Sequence, residues 1–166
     1  MISACQRSNM LNSTPTAFAL VSGSASYPAI AGRVNFFQMS DGVLVTAEVS
    51  GLPIKAPSCD PSFFGFHIHA GPRCTGSAED PFADTAGHYN PGSCPHPAHA
   101  GDLPPLLGNR GYAYMSVFTN RFTVNEIINR TVIIHDSPDD FTTQPSGNSG
   151  KKIACGQIVR AGGRTR

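Results

Sequence analysis

Six histidines carry most of the chemistry that this sequence can do. His67 and His69 flank a single residue in the run Phe66-His67-Ile68-His69. On a strand, residues i and i+2 share a face, so the two rings would stand about 6.6 to 6.8 Å apart along it. That spacing suits two imidazoles gripping one metal ion, although a His-x-His pair alone is a weak signal and more often marks half-buried histidines that bind nothing. The second cluster is denser. His88, His96, His99 and Asp102 fall within fifteen residues, and three imidazoles plus one carboxylate form a closed tetrahedral set of the kind zinc accepts as a structural site. The bland alternative is a His-rich surface loop that holds metal loosely.

These residues need a scaffold to position them, and the sequence reads as short strands broken by turns. Ala17 to Val21 is apolar, Ile30 to Phe37 alternates with period two, and Val43 to Val49 follows after Ser40-Asp41-Gly42. Asp-Gly tolerates the positive φ of a tight hairpin, so these last two segments are predicted to pair. Phe63 to His69, Tyr112 to Phe118, Thr131 to His135 and Ile153 to Val159 read as further strands, being rich in β-branched and aromatic residues. Ile127 to Asn129 suggests a short turn or helix. From Ala70 to Asn109 the chain is rich in proline and glycine with no apolar period. Such a long irregular stretch fits a compact domain only if it is functional and tied down, and metal binding supplies that tie because the folding free energy comes from the ligands. A second irregular stretch runs from Asp136 to Lys152. The expected fold is all-β, an eight-stranded Greek-key sandwich or barrel of immunoglobulin-like character with two long functional loops.

Composition limits the remaining options. The 166 residues suit one domain, expected over 16–159, with a disordered N-terminal tail at 1–15 and a mobile basic tail at 160–166. A net charge of +1 and no basic run argue against nucleic acid as a partner. No stretch of 18 apolar residues exists, so no membrane span is expected. The first 14 residues are too polar for an export signal, and Ile2-Ser3-Ala4-Cys5, though similar to the end of a lipoprotein cleavage site, is short enough to arise by accident. The sequence as written therefore suggests a cytoplasmic protein, or an extracytoplasmic one if a signal was removed. Five cysteines, Cys5, Cys59, Cys74, Cys94 and Cys155, are an odd number whose spacing does not pair them.

Taken together, Gly65-Phe66-His67-Ile68-His69, the loop from Gly87-His88 to Gly101-Asp102-Leu103, Val132-Ile133-Ile134-His135-Asp136, Asp139-Asp140, Gly147-Asn148-Ser149-Gly150 and Ala154-Cys155-Gly156-Gln157-Ile158 resemble the copper/zinc superoxide dismutase family over about residues 16 to 159. The resemblance implies one copper and one zinc per chain. Copper would be held by His67, His69, His88 and His135, and zinc by His88, His96, His99 and Asp102, with His88 as a bridging imidazolate. It further implies that Asp139 hydrogen-bonds one histidine of each set, that Cys74 and Cys155 form a disulfide, and that the substrate is the superoxide anion. A homodimer and delivery of copper by a copper chaperone stay open.

Departures from the family pattern are informative. An arginine is expected three residues before the disulfide cysteine, to orient superoxide; here that position is Lys152, next to Lys151. Lysine keeps the charge but is a mobile point donor instead of a planar fork, so an active but slower enzyme is expected, with His67, His69, His88, His135 and Lys152 as its catalytic residues. Ser77 to Asp84 reads as an insertion, and the loop from Asp136 to Lys152 lacks a glutamate-rich steering segment. Cys59 and Cys94 are candidates for a second bridge. The competing function is a non-catalytic copper- and zinc-binding relative used for metal buffering or delivery; such relatives lack copper ligands, whereas this chain has all four. A cupin-type metal site would want a glutamate four residues after His69, where Arg73 stands. A zinc hydrolase is disfavoured because Asp102 occupies the position a catalytic water needs.

Overall fold

The structure is a computed structural model that describes residues 14–54 and 62–162. Among the described residues nine strands form: β1 (Ala17–Gly23), β2 (Ala31–Gln38), β3 (Val43–Ser50), β4 (Phe63–Phe64), β5 (Phe66–His69), β6 (Leu106–Leu107), β7 (Ala113–Thr119), β8 (Thr131–His135) and β9 (Lys152–Arg160). Seven of them make one curled antiparallel sheet in the order β5-β8-β9-β1-β2-β3-β7, and β4 pairs with β6 in a short ladder. β4 leads directly into β5 and β6 packs beside β7. The ladder therefore links the two edges of the curled sheet, and a half-barrel of Greek-key order results.

Alternation along each strand builds the core. Val43, Val45, Ala47 and Val49 of β3 point inward with Val34 and Phe36 of β2 and Ala17, Ala19 and Val21 of β1. Residues two apart share a face, so each strand delivers its apolar set to the same interior. β5, β8 and the first half of β9 differ, because both of their faces are buried. Phe66, Ile68, Val132, Ile134 and Ala154 join the main core, while Ile133 and Cys155 pack on the other face against Phe82 and Cys74 of the long loop. The loop is thus a second layer over this end of the sheet, and the disulfide between Cys74 and Cys155 fastens it there.

Four expectations are adjusted. The strand foreseen from Phe63 to His69 is divided at Gly65, where a side chain would run into Ser149; with β6 this makes nine strands among the described residues, where eight were expected. The long loop contains β6 and a 3-10 turn at Ala83–Thr85, both too short to leave a period. Helix α1 spans Val124–Ile127, ahead of the position suggested by Ile127 to Asn129; the Glu126 carboxylate accepts from the Thr123 N–H and hydroxyl, a capping pattern readable as Thr-x-x-Glu. The last strand extends to Arg160, whose guanidinium donates to Asn125 Oδ1, so the chain is still ordered where a mobile tail was expected to begin. Residues 1–13 and 163–166 of the two expected tails lie outside the described residues, as does Cys59 of the suggested second bridge. Cys94 is a free, exposed thiol.

Candidate metal centre

β5 places two of the six histidines. Phe66 and Ile68 face the core, so His67 and His69 face the opposite side, toward the long loop. The loop runs along the open edge of β5: the Ile68 N–H donates to Gly101 O, the Tyr89 N–H to Ile68 O and the Ala70 N–H to Gly87 O. Bridges between His69 and His88 and between His67 and Asp102 follow from this pairing. Backbone hydrogen bonding thus carries His88 and Asp102 up to the strand histidines. On the other side, His67 is in register with Ile133 of β8. His135 lies two residues further along β8, next to a bulge, and so presents its ring to the same face.

Two donor groups result, each with one ligand atom per residue lying within 4.8 Å of the others: His67, His69, His88 and His135, and His88, His96, His99 and Asp102. His88 belongs to both. Every residue expected from the sequence to hold copper or zinc is brought together, in the two expected sets. The outer ring nitrogens are engaged by protein. His67 Nε2 lies 2.7 Å from Asp139 Oδ2, His96 Nε2 2.9 Å from Asp139 Oδ1, and His69 Nδ1 2.8 Å from Ala86 O, while His135 Nδ1 makes a longer contact to Gly150 O. Each outer nitrogen must then carry the proton, which leaves the inner nitrogen with a free lone pair. The inner nitrogens His67 Nδ1, His69 Nε2, His88 Nε2, His96 Nδ1 and His135 Nε2 are buried without a hydrogen-bond partner. Four of these belong to one donor group, and four orphaned acceptors gathered there are costly unless a cation sits among them, while His96 Nδ1 faces Asp102 Oδ2 at 3.1 Å in the other group. Copper and zinc fit these donors, imidazole suiting both and the carboxylate completing the zinc set.

Burial shapes the electrostatics. It pushes His67 down despite the opposing pull of Asp139, depresses His69 well below an ordinary imidazole, and takes His135 down to about 3, with the neighbouring His67, His88 and Lys152 adding smaller contributions. These rings are neutral and ready to ligate at neutral pH. Burial works against ionisation of Asp102, but its hydrogen bond with His88 and the other imidazoles outweigh that and hold the carboxyl low. Asp139 is likewise held low: burial opposes ionisation, and hydrogen bonds from His67, the Phe141 N–H and His96 win. A side chain at Gly147 would collide with Asp139 and His96, and its φ of +67° also favours glycine.

Other residues that position the site left no local signal. Gln144 clamps His96 from both sides, its amide oxygen accepting the His96 N–H and its amide nitrogen donating to His96 O. Arg121 donates to the carbonyls of Pro97 and His99. Arg130 donates to Ala70 O and lies over the Tyr89 ring. Each reaches across more than twenty residues of sequence or a sheet edge, contacts that no spacing rule would foresee.

Lys152, expected to receive the substrate, opens β9 opposite His135. Its ammonium is engaged by the insertion, 2.9 Å from Asp80 Oδ2 and 3.0 Å from Phe82 O.

A curled Greek-key sheet whose outer face carries two histidine-rich donor sets sharing one imidazole defines a class of β-barrel proteins that hold copper and zinc side by side. The chain belongs to the copper/zinc superoxide dismutase family, whose model matches residues 30–158. It is similar to a Cu-Zn superoxide dismutase of Deinococcus radiodurans, 33% identical over 145 residues with 76% of each chain covered. A Cu-Zn superoxide dismutase of Aquifex aeolicus is 32% identical over 144 residues, covering 76% of this chain and 79% of the relative. Among solved structures, the Cu/Zn superoxide dismutase from Brucella abortus superposes with a TM-score of 0.69 at 25% identity, covering 85% of this chain and 98% of the other.

Proposed function

We propose that the protein is a superoxide dismutase that converts two superoxide anions and two protons into one O2 and one H2O2, with copper held by His67, His69, His88 and His135 and zinc by His88, His96, His99 and Asp102. The observation that carries this reading is the shared histidine: His88 offers Nδ1 to the set containing Asp102, at 2.7 Å from Asp102 Oδ1, and has its Nε2 unpartnered on the other side. Bound copper supplies the one-electron Cu(II)/Cu(I) couple that dismutation requires, and zinc is redox-silent.

The chain's own groups do the rest. Asp139, Ala86 O and Gly150 O keep the outer nitrogens of His67, His96, His69 and His135 protonated and their inner lone pairs aimed inward. Asp139 touches one histidine of each set, so it holds the two sets in register. Exposed Lys151 supplies positive charge that draws in a small anion, and Lys152 adds what its pairing with Asp80 leaves. The first superoxide gives up one electron and leaves as O2; the second takes that electron and two protons and leaves as H2O2. His88 would relay one of those protons only while its Nε2 is not engaged by copper, with solvent supplying the other.

The test is metal content measured beside dismutation rate. About one copper and one zinc per chain together with a superoxide-dependent rate are expected for a metal set of this composition. Zinc alone after copper has been offered would overturn the copper assignment, and bound copper without turnover would favour metal buffering or delivery.

A further inference from the structure

The insertion that carries Asp80 has no counterpart in the family pattern read from the sequence, and it reaches the residue expected to receive the substrate. Asp80 is itself held rigidly. Its Oδ1 accepts the Phe82 N–H, its N–H donates to Ser77 Oγ, and its carbonyl accepts the Ser77 N–H. With Oδ1 so committed, Oδ2 is the oxygen turned to Lys152. Two of the three ammonium protons of Lys152 are taken, one by Asp80 and one by Phe82 O. The lysine side chain is 17% exposed and the aspartate 45%, so water reaches the pair from the Asp80 side. Both residues line a cleft of about 400 Å3 with Lys151, Glu79, Gly150 and Tyr27. Gly150, which lines that cleft, also meets His135 Nδ1 through its carbonyl, so the cleft adjoins one histidine of the copper set.

We propose that Asp80 is a positioning residue that acts on the substrate anion through Lys152: it holds the ammonium against the insertion and cancels much of its field, so that an incoming anion must compete with an internal carboxylate. The inference rests on the superoxide dismutase reading of this site and deepens it. An anion entering the cleft meets one occupied cation, Lys152, and one exposed cation, Lys151. Removing the carboxylate's charge frees Lys152 to turn to the anion. A partly exposed ion pair is worth a factor of about two to five in an equilibrium constant, and that is the size of the expected effect.

The experiment uses the copper- and zinc-loaded protein with azide as a small monoanion probe, its binding followed through the visible absorption of copper. Asp80→Asn should tighten azide binding and raise the second-order rate with superoxide by about two- to fivefold each, the size of one such pair. In a Lys152→Met background the same substitution should change neither, which is the double-mutant signature of action through the lysine. Azide binding that weakens or stays unchanged in Asp80→Asn would overturn the proposal. So would an equal gain in the Lys152→Met background, which would make Asp80 a general repulsive charge. Azide affinity does not depend on turnover, so a protein that binds copper without dismutating still reports on the pair, and the two readings fail separately.

Discussion

Replacing Asp139 by asparagine should weaken both metal sites at once, although Asp139 is a ligand in neither set. The carboxylate accepts from His67 Nε2 at 2.7 Å, from His96 Nε2 at 2.9 Å and from the Phe141 N–H at 2.7 Å. His67 and His96 side chains are both fully buried. An asparagine has the same shape but only one acceptor oxygen, so at least one imidazole N–H would face an amide NH2. A buried donor left unsatisfied costs about 1 to 3 kcal/mol, and bonds to a charged acceptor are the stronger ones. A loss of about 2 to 3 kcal/mol is therefore expected in the metal-free protein, a fall of about 5 to 10 °C in Tm for a domain of this size. Each histidine also loses the partner that sets its tautomer, which by analogy with other supporting carboxylates weakens metal binding about 10- to 100-fold. Chelator competition, run separately for zinc and copper, reads these affinities, and calorimetry of the metal-free protein reads the stability. If both affinities stay within about twofold of the parent protein, well below the range for such supporting groups, Asp139 does not couple the two sets and the reasoning fails.

Three further outcomes follow from named contacts. Lys152→Arg should raise the superoxide-dependent second-order rate, because a guanidinium can keep Asp80 and still present a planar fork to the anion; an unchanged or lower rate in stopped-flow measurements would refute this. Reducing or deleting the Cys74–Cys155 bridge, which spans 81 residues, should cost roughly 4 kcal/mol by the chain-entropy relation, checked by denaturant unfolding of the oxidised and reduced protein. The metal-free protein should lose stability as pH falls from about 6.5 toward about 3, the range set by the depressed His135. In that window the unfolded chain holds protons that the buried His69 and His135 refuse, so unfolding takes up protons and acid favours it. Melting temperatures across this range check the sign, and a Tm that rose on acidification would contradict it.

Much of the metal centre was legible in the linear sequence. A His-x-His pair on a strand shares a face because the strand period is two, and three histidines and an aspartate within fifteen residues form a ligand set whose members are near neighbours along the chain. The hairpin at Asp41-Gly42 and the β-branched runs were equally local signals. What escaped was short or distant. β6 is two residues long, too short to show a period. The contacts of Arg121, Arg130 and Gln144 with the metal loop exist only because the sheet curls and the loop folds back over β5.

The clearest division falls at Lys152. The sequence by itself determined the donor types and the close-spaced set of His88, His96, His99 and Asp102, because these depend on residue identity and short spacing; the copper set completed by His135, and the arginine expected where Lys152 stands, came from the resemblance to the family. Only the tertiary structure decided where that lysine's charge goes. The insertion is pinned over β9 by the disulfide and by Phe82 packed against Ile133 and Cys155, which brings Asp80 to the ammonium across 72 residues of chain. Spacing along the chain constrains groups within a turn or a strand; which carboxylate neutralises which ammonium depends on how the layers pack.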